Sequence, residues 1–140
     1  MRLSILALLV FTVLIVSACG SSPEPFKLAA ASLLPDYLDN APARTREAYR
    51  FAIANREELA KYPCYCGCGN LGHTSNLECY IDVDVTHALA LDEHGSGCGI
   101  CVDITQDVMQ GLREGKSTEE IRAGIDATYG NIGTSTGHME

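Results

Sequence analysis

Pro63-Cys64-Tyr65-Cys66-Gly67-Cys68-Gly69 places three thiols at every second position within seven residues, and the rest of the chain reads as what holds this run and what completes it. Extended backbone sets side chains i, i+2 and i+4 on one face, so Cys64, Cys66 and Cys68 are placed to present three sulfurs to one ion or cluster, with Tyr65 pointing away. Gly67 lets the chain bend around that centre. The completing donors follow within a few dozen residues: His73, Cys79, His94, Cys98 and Cys101. Cys98-Gly99-Ile100-Cys101 falls at a predicted helix start, where free N–H groups and the helix dipole favour thiolate, the form that ligates metal. A C-x-C-x-C loop after one helix therefore faces a C-x-x-C opening another.

Working outward, Tyr49, Ala52, Ile53, Leu59 and Ala60 recur at helical spacing and predict an amphipathic helix from Pro42 to Tyr62, stopped by Pro63. Gly67, Gly69, Asn70, Gly72, Thr74 and Ser75 break up the next stretch into a loop. Ile81, Val83 and Val85 alternate with polar residues as in a short strand that lacks an evident partner. Asp82, Asp84, Thr86 and Glu93 touch a calcium-loop spacing, but His87 stands where its tight turn needs glycine, so these acids read as solvated. Beyond them, Cys98, Cys101, Val102, Ile104, Thr105, Val108, Met109 and Leu112 mark one helix face capped by Gly115. Ser117-Thr118-Glu119-Glu120 is a capping box opening a last helix with the stripe Ile121, Ile125 and Tyr129 and a stop at Gly130. The fold class expected is mainly α: a small helical domain over 42–130, with two cysteine-rich loops meeting between helix ends. Residues 19–41 read as a lipidated cysteine and Ser/Pro tether, with a short helix over Leu28 to Leu34, and 131–140 as a disordered tail.

The length of 140 residues allows one compact domain at most, and part of its apolar content is not core. Leu3 to Val16 is apolar apart from Ser4 and Thr12, follows Arg2 and precedes Ser17-Ala18-Cys19. The run is short of the ~20 residues of a spanning helix, so 1–18 reads as an export signal. The small residues before Cys19, then Gly20-Ser21-Ser22-Pro23, resemble a bacterial lipobox, with Val16 where that pattern prefers Leu. The resemblance implies that Cys19 carries lipid as the first mature residue, palmitate included, and holds the protein to the extracytoplasmic face of the cell membrane. The net charge of -8 excludes a nucleic-acid partner, since no Lys/Arg cluster exists to meet phosphates.

Seven cysteines less the anchor leave six, which with His73 and His94 make eight soft or borderline donors. That suffices for two four-coordinate ions or a small multinuclear thiolate cluster. Zinc takes three Cys with one His, or four Cys, whereas Cu(I) or Hg(II) is satisfied by two or three sulfurs. No carboxylate is needed, which argues against a hard cation. Met109 reads as core, His87 as structural or surface, and His138 as incidental. The function expected is non-catalytic: storage, delivery or detoxification of Cu(I) or zinc, with a metal-donor or metal-acceptor protein as partner. One alternative is a disulfide-stapled module, which must bridge Cys64, Cys66 and Cys68 separately to Cys79, Cys98 and Cys101 because residues two apart rarely converge. Another is a thiol–disulfide oxidoreductase using Cys98 and Cys101, though Gly95-Ser96-Gly97 is not the strand that scaffold places before its C-x-x-C. On the metal reading, Cys98 and Cys66 are expected to matter about equally.

The heptad Pro63-Cys64-Tyr65-Cys66-Gly67-Cys68-Gly69, Gly72-His73, His94-Gly95-x-Gly97-Cys98-Gly99-Ile100-Cys101, Glu120-Ile121-Arg122 and Tyr129-Gly130 together resemble the PCYCGC-motif lipoproteins of bacteria. The resemblance covers roughly Ala48 to Gly130 and implies a lipid-anchored extracytoplasmic protein with a heavy-metal role. It groups His73 and His94 with the cysteines and leaves His87 outside.

Overall fold

Residues 24–82 and 89–137 are described by the structure, a computed structural model. They form five helices: α1 (Ala43–Ala54), α2 (Arg56–Leu59), α3 (His94–Gly97), α4 (Gly99–Arg113) and α5 (Thr118–Tyr129). The molecule is mainly helical as expected, and its cysteine-rich loops meet between helix ends. The export segment, Cys19, Val83, Val85, His87 and His138 lie outside the described residues.

The long helix expected from Pro42 to Tyr62 is interrupted at Asn55, whose backbone leaves helical space at φ −134° and ψ 48°. The Asn55 side-chain amide donates to the Phe51 carbonyl (2.9 Å) and to the Lys27 carbonyl (2.7 Å), ending α1 and tying down the segment that precedes it. After the break the register turns and leaves Ala60 exposed, while Ile53, before it, sits at the edge of the buried face and is only half-buried. The face that packs is Thr45, Ala48, Tyr49, Phe51 and Ala52.

α4 is the central element, packed against both α1 and α5. It buries Val102, Ile104, Thr105, Val108 and Met109, close to the predicted face. It ends in a Schellman arrangement, Gly115 N–H to Leu112 O (3.0 Å) and Lys116 N–H to Gly111 O (3.0 Å). The capping box of α5 forms as expected: Glu120 N–H donates to Ser117 Oγ (3.2 Å), and Ser117 N–H donates to Glu120 Oε2 (2.8 Å). Ile121, Ile125 and Tyr129 are buried against α4, and the Tyr129 hydroxyl donates to Asp107 on it (2.7 Å).

Both ends of the domain extend further than the residue pattern indicates. Residues 24–41 do not hang as a tether. Phe26 sets its ring edge-on to Phe51 at 5.0 Å beneath the Arg113 guanidinium, Ala29 N–H donates to Arg50 O (3.0 Å), and Leu38 is fully buried. The helix expected over Leu28 to Leu34 shrinks to one 3-10 turn, Ala31–Leu33. At the other end, Ser135 and Thr136 are buried, so 131–137 is an ordered part of the domain rather than a loose tail.

Among the described residues there is no strand. Ile81 instead forms an isolated antiparallel bridge with Leu91, with Asp92 N–H donating to Tyr80 O (2.9 Å) and Asp82 N–H to Ala90 O (3.1 Å). Among the described residues, too, no helix is long and apolar enough to cross a membrane.

Candidate metal centre

Leaving α2, the chain runs extended through Cys64 and is clamped there by the C-terminal segment. Cys64 N–H donates to Thr136 Oγ1 (2.9 Å), and Thr136 N–H donates to Cys64 O (2.9 Å). Tyr65 points away from the sulfurs as expected, its hydroxyl donating to Asp126 on α5 (2.6 Å). Cys64 Sγ and Cys66 Sγ then converge to 3.4 Å. The third thiol does not stay on that face. Gly67 adopts φ 86°, a left-handed conformation natural to glycine, and Cys68 opens a 3-10 turn that carries its sulfur round to Cys79, 3.9 Å away. The three sulfurs of the run stay in one cluster, Cys68 sharing a donor set with Cys66 and a thiol contact with Cys64.

Cys79 closes the 3-10 turn Asn76–Cys79, whose fully buried Asn76 ties three segments together. Its amide Nδ2 donates to Thr105 Oγ1 (2.7 Å) and to the Cys101 carbonyl (3.3 Å) on α4, and its N–H donates to Tyr62 O (2.8 Å). The next residue, Tyr80, is fully buried, 2.8 Å from the Thr105 hydroxyl and edge-on to Tyr49 at 4.9 Å. α3 lies directly on this tyrosine. A Cβ at Gly95 would stand 2.6 Å from Tyr80 Cε1 and 2.8 Å from Cys79 O, so the approach requires glycine. His94 N–H donates to Asp92 Oδ1 (2.6 Å), which fixes the residue that delivers its Nε2 to 3.4 Å from Cys66 Sγ.

Cys98 is the N-cap residue of α4 and Cys101 sits in its first turn. Cys101 Sγ lies 3.0 Å from Cys79, 3.5 Å from Cys64 and 3.6 Å from Cys66. Three groups of four donors result, each with all ligand atoms within 4.8 Å of one another: Cys64, Cys66, Cys79 and Cys101; Cys66, Cys68, Cys79 and His94; and Cys66, His94, Cys98 and Cys101. Seven of the eight residues singled out by the sequence meet in one cluster. His73 stands one step outside, its Nδ1 4.0 Å from Cys79 Sγ and its ring 5.5 Å from that of His94. None of the six cysteines is bridged.

Cys64, Cys68, Cys79 and Cys101 are buried, whereas Cys66, Cys98, His94 and His73 are half-buried and form the outer side. Crowding of the sulfurs sorts their protons. Hydrogen bonding from the Cys101 thiol holds Cys64 well below the ordinary thiol range, and that from Cys79 brings Cys66 down to about 5. The counterparts move up: Cys101 and Cys68 through their bonds to Cys64, and Cys79 through its bond to Cys101.

The sequence does not mark the supporting residues as such. By pattern alone Thr105 belongs to a helix face, Gly95 to a run of small residues and Thr136 to the tail, and Asn76 carries no signal at all. Their importance is testable at Thr136. Thr136→Val keeps the shape but leaves the buried Cys64 N–H without an acceptor, which costs about 1–3 kcal/mol. Urea denaturation should record that loss, and Thr136→Ser should recover most of it.

Fold and site together define a small helical protein built around a Cys/His cluster of metal-binding dimensions. The chain belongs to the family described as "Protein of unknown function with PCYCGC motif", which matches residues 24–137. That span includes every cysteine and histidine of the cluster and both flanking segments that the fold recruits. No curated protein and no solved structure matches the chain.

Proposed function

We propose that this chain is a non-catalytic, lipid-anchored metal-binding protein on the extracytoplasmic face of a bacterial membrane, holding Cu(I) or zinc for storage, delivery or detoxification. The observation that carries the reading is the convergence of all six thiols and His94 in three overlapping donor sets. Thiolate and imidazole are donors for soft and borderline metals. A tetrahedral ion with bonds of about 2.3 Å to sulfur separates its sulfurs by about 3.8 Å. Cys68 and Cys79, at 3.9 Å, match that spacing, and the closer pairs, down to 3.0 Å for Cys79 and Cys101, open to admit an ion. No carboxylate belongs to any of the sets.

The half-buried side formed by His94, Cys98, Cys66 and His73 is where a metal-donor or metal-acceptor protein would dock, with the buried sulfurs as the holding end. Cys19, through its lipid, supplies the membrane attachment. A redox role for Cys98 and Cys101 is less well supported, because Cys101 shares its sulfur neighbourhood with Cys79, Cys64 and Cys66.

The reading is tested by expressing the chain, purifying it anaerobically and measuring metal by elemental analysis. Copper or zinc should copurify and be lost when Cys64, Cys66 and Cys68 are all changed to serine. A reduced wild-type chain that carries no metal and takes up neither Cu(I) nor zinc would remove the proposal.

A further inference from the structure

We infer that the centre binds three Cu(I) ions as a single thiolate-bridged cluster, in which Cys66, Cys79 and Cys101 are the bridges and Cys64, Cys68 and Cys98 the terminal ligands. This rests on the metal-binding reading above and adds the metal, its count and the division of labour among the thiols.

The argument comes from how the donor sets overlap. Each set has one thiol found in no other: Cys64 in the first, Cys68 in the second and Cys98 in the third. The remaining members are shared. Cys79 links the first set to the second, Cys101 links the first to the third, and Cys66 belongs to all three. Because any two sets have two donors in common, two separate four-coordinate ions do not fit among them. A thiolate sulfur keeps lone pairs after binding one ion and can bind another, whereas a neutral imidazole nitrogen offers a single lone pair. Sharing is therefore open to Cys66, Cys79 and Cys101 and closed to His94.

That asymmetry selects the metal. Tetrahedral zinc in all three sets would need His94 twice. Three-coordinate Cu(I) needs only sulfur. One ion takes Cys64, Cys79 and Cys101, a second takes Cys66, Cys68 and Cys79, and a third takes Cys66, Cys98 and Cys101. Every thiol is then used, and ions and bridges alternate around a closed ring. The bridging sulfurs lie close enough for this: Cys101 is 3.0 Å from Cys79 and 3.6 Å from Cys66, and Cys66 and Cys79 share two sets. The ring leaves net negative charge, and Cys101 lies in the first turn of α4, where the helix dipole favours it. His94, beside Cys66, remains free to pass an ion inward from the outer side.

The test is native mass spectrometry of the full-length, reduced chain titrated anaerobically with Cu(I) alone, against a competing Cu(I) chelator. The expected result is a cooperative rise to three ions per chain, with the one-ion and two-ion species sparse. Cys98→Ser, at a half-exposed terminal position, should keep its circular dichroism and saturate at two. Saturation of the wild type at one or two ions, or at four or more, overturns the cluster while leaving metal binding itself intact. Failure to bind any Cu(I) overturns the cluster, and if zinc is refused as well, the metal-binding reading goes with it.

Discussion

Cys66→Ser is expected to cost far more copper than Cys98→Ser, although both thiols are half-buried and both lie on the outer side of the cluster. Cys66 belongs to all three donor sets and Cys98 to one. Loss of Cys66 leaves two of the ions with two thiolates each, a set that holds Cu(I) more weakly than three, so under chelator competition the chain should retain about one Cu(I), against about two for Cys98→Ser. The sequence, which shows Cys66 and Cys98 as equivalent members of two facing motifs, predicts equal damage. The structure separates them because Cys66 shares a donor set with every other thiol of the cluster, whereas Cys98 shares one only with Cys66 and Cys101. Equal copper contents for the two variants, both still folded by circular dichroism, would contradict this division.

The second large effect is expected at Gly95, a residue with no chemistry of its own. In Gly95→Ala the new methyl would lie 2.6 Å from Tyr80 Cε1 and 2.8 Å from the Cys79 carbonyl. Tyr80 has no room to yield, being fully buried between the Tyr49 ring and the Thr105 hydroxyl. α3 must move instead, and it carries His94 away from Cys66. Overpacking of this kind costs about 1–3 kcal/mol, which urea denaturation of the metal-free chain would read as a lower midpoint. Gly97→Ala is the control, since a Cβ there meets nothing within 4 Å. It should change stability little. If both substitutions behave alike, the effect is backbone propensity and not contact with Tyr80.

Much of the helical framework was legible because its signals are local. The capping box at Ser117, the stripe of Ile121, Ile125 and Tyr129, and the buried face from Cys101 to Met109 depend on spacing along one helix, and each appears where the pattern puts it. The membership of the cluster was legible for a similar reason, since thiols two or three residues apart announce themselves. What spacing did not convey was long-range pairing. The Asn55 contact with Lys27 that breaks a helix, the Thr136 clamp on Cys64 and the buried Asn76 joining three segments each link residues far apart in sequence. Nor does spacing show that Cys68 reaches Cys79, because that follows from the 3-10 turn that begins after a positive φ at Gly67. The motif groups His73 with the ligands, yet its ring lies outside all three sets.

The central claim is that the six thiols serve one metal centre rather than disulfide staples, and counting reactive thiols tests it most directly. The full-length chain, purified anaerobically without reductant, would be treated with an alkylating reagent in denaturant, before and after chelation of its metal, and weighed intact. The account predicts slow, partial labelling while metal is held and, once it is removed, labelling of all six cluster cysteines, Cys64, Cys66, Cys68, Cys79, Cys98 and Cys101, with Cys19 counted separately. Thiols that stay unlabelled after chelation and react only when a reductant is added would contradict it.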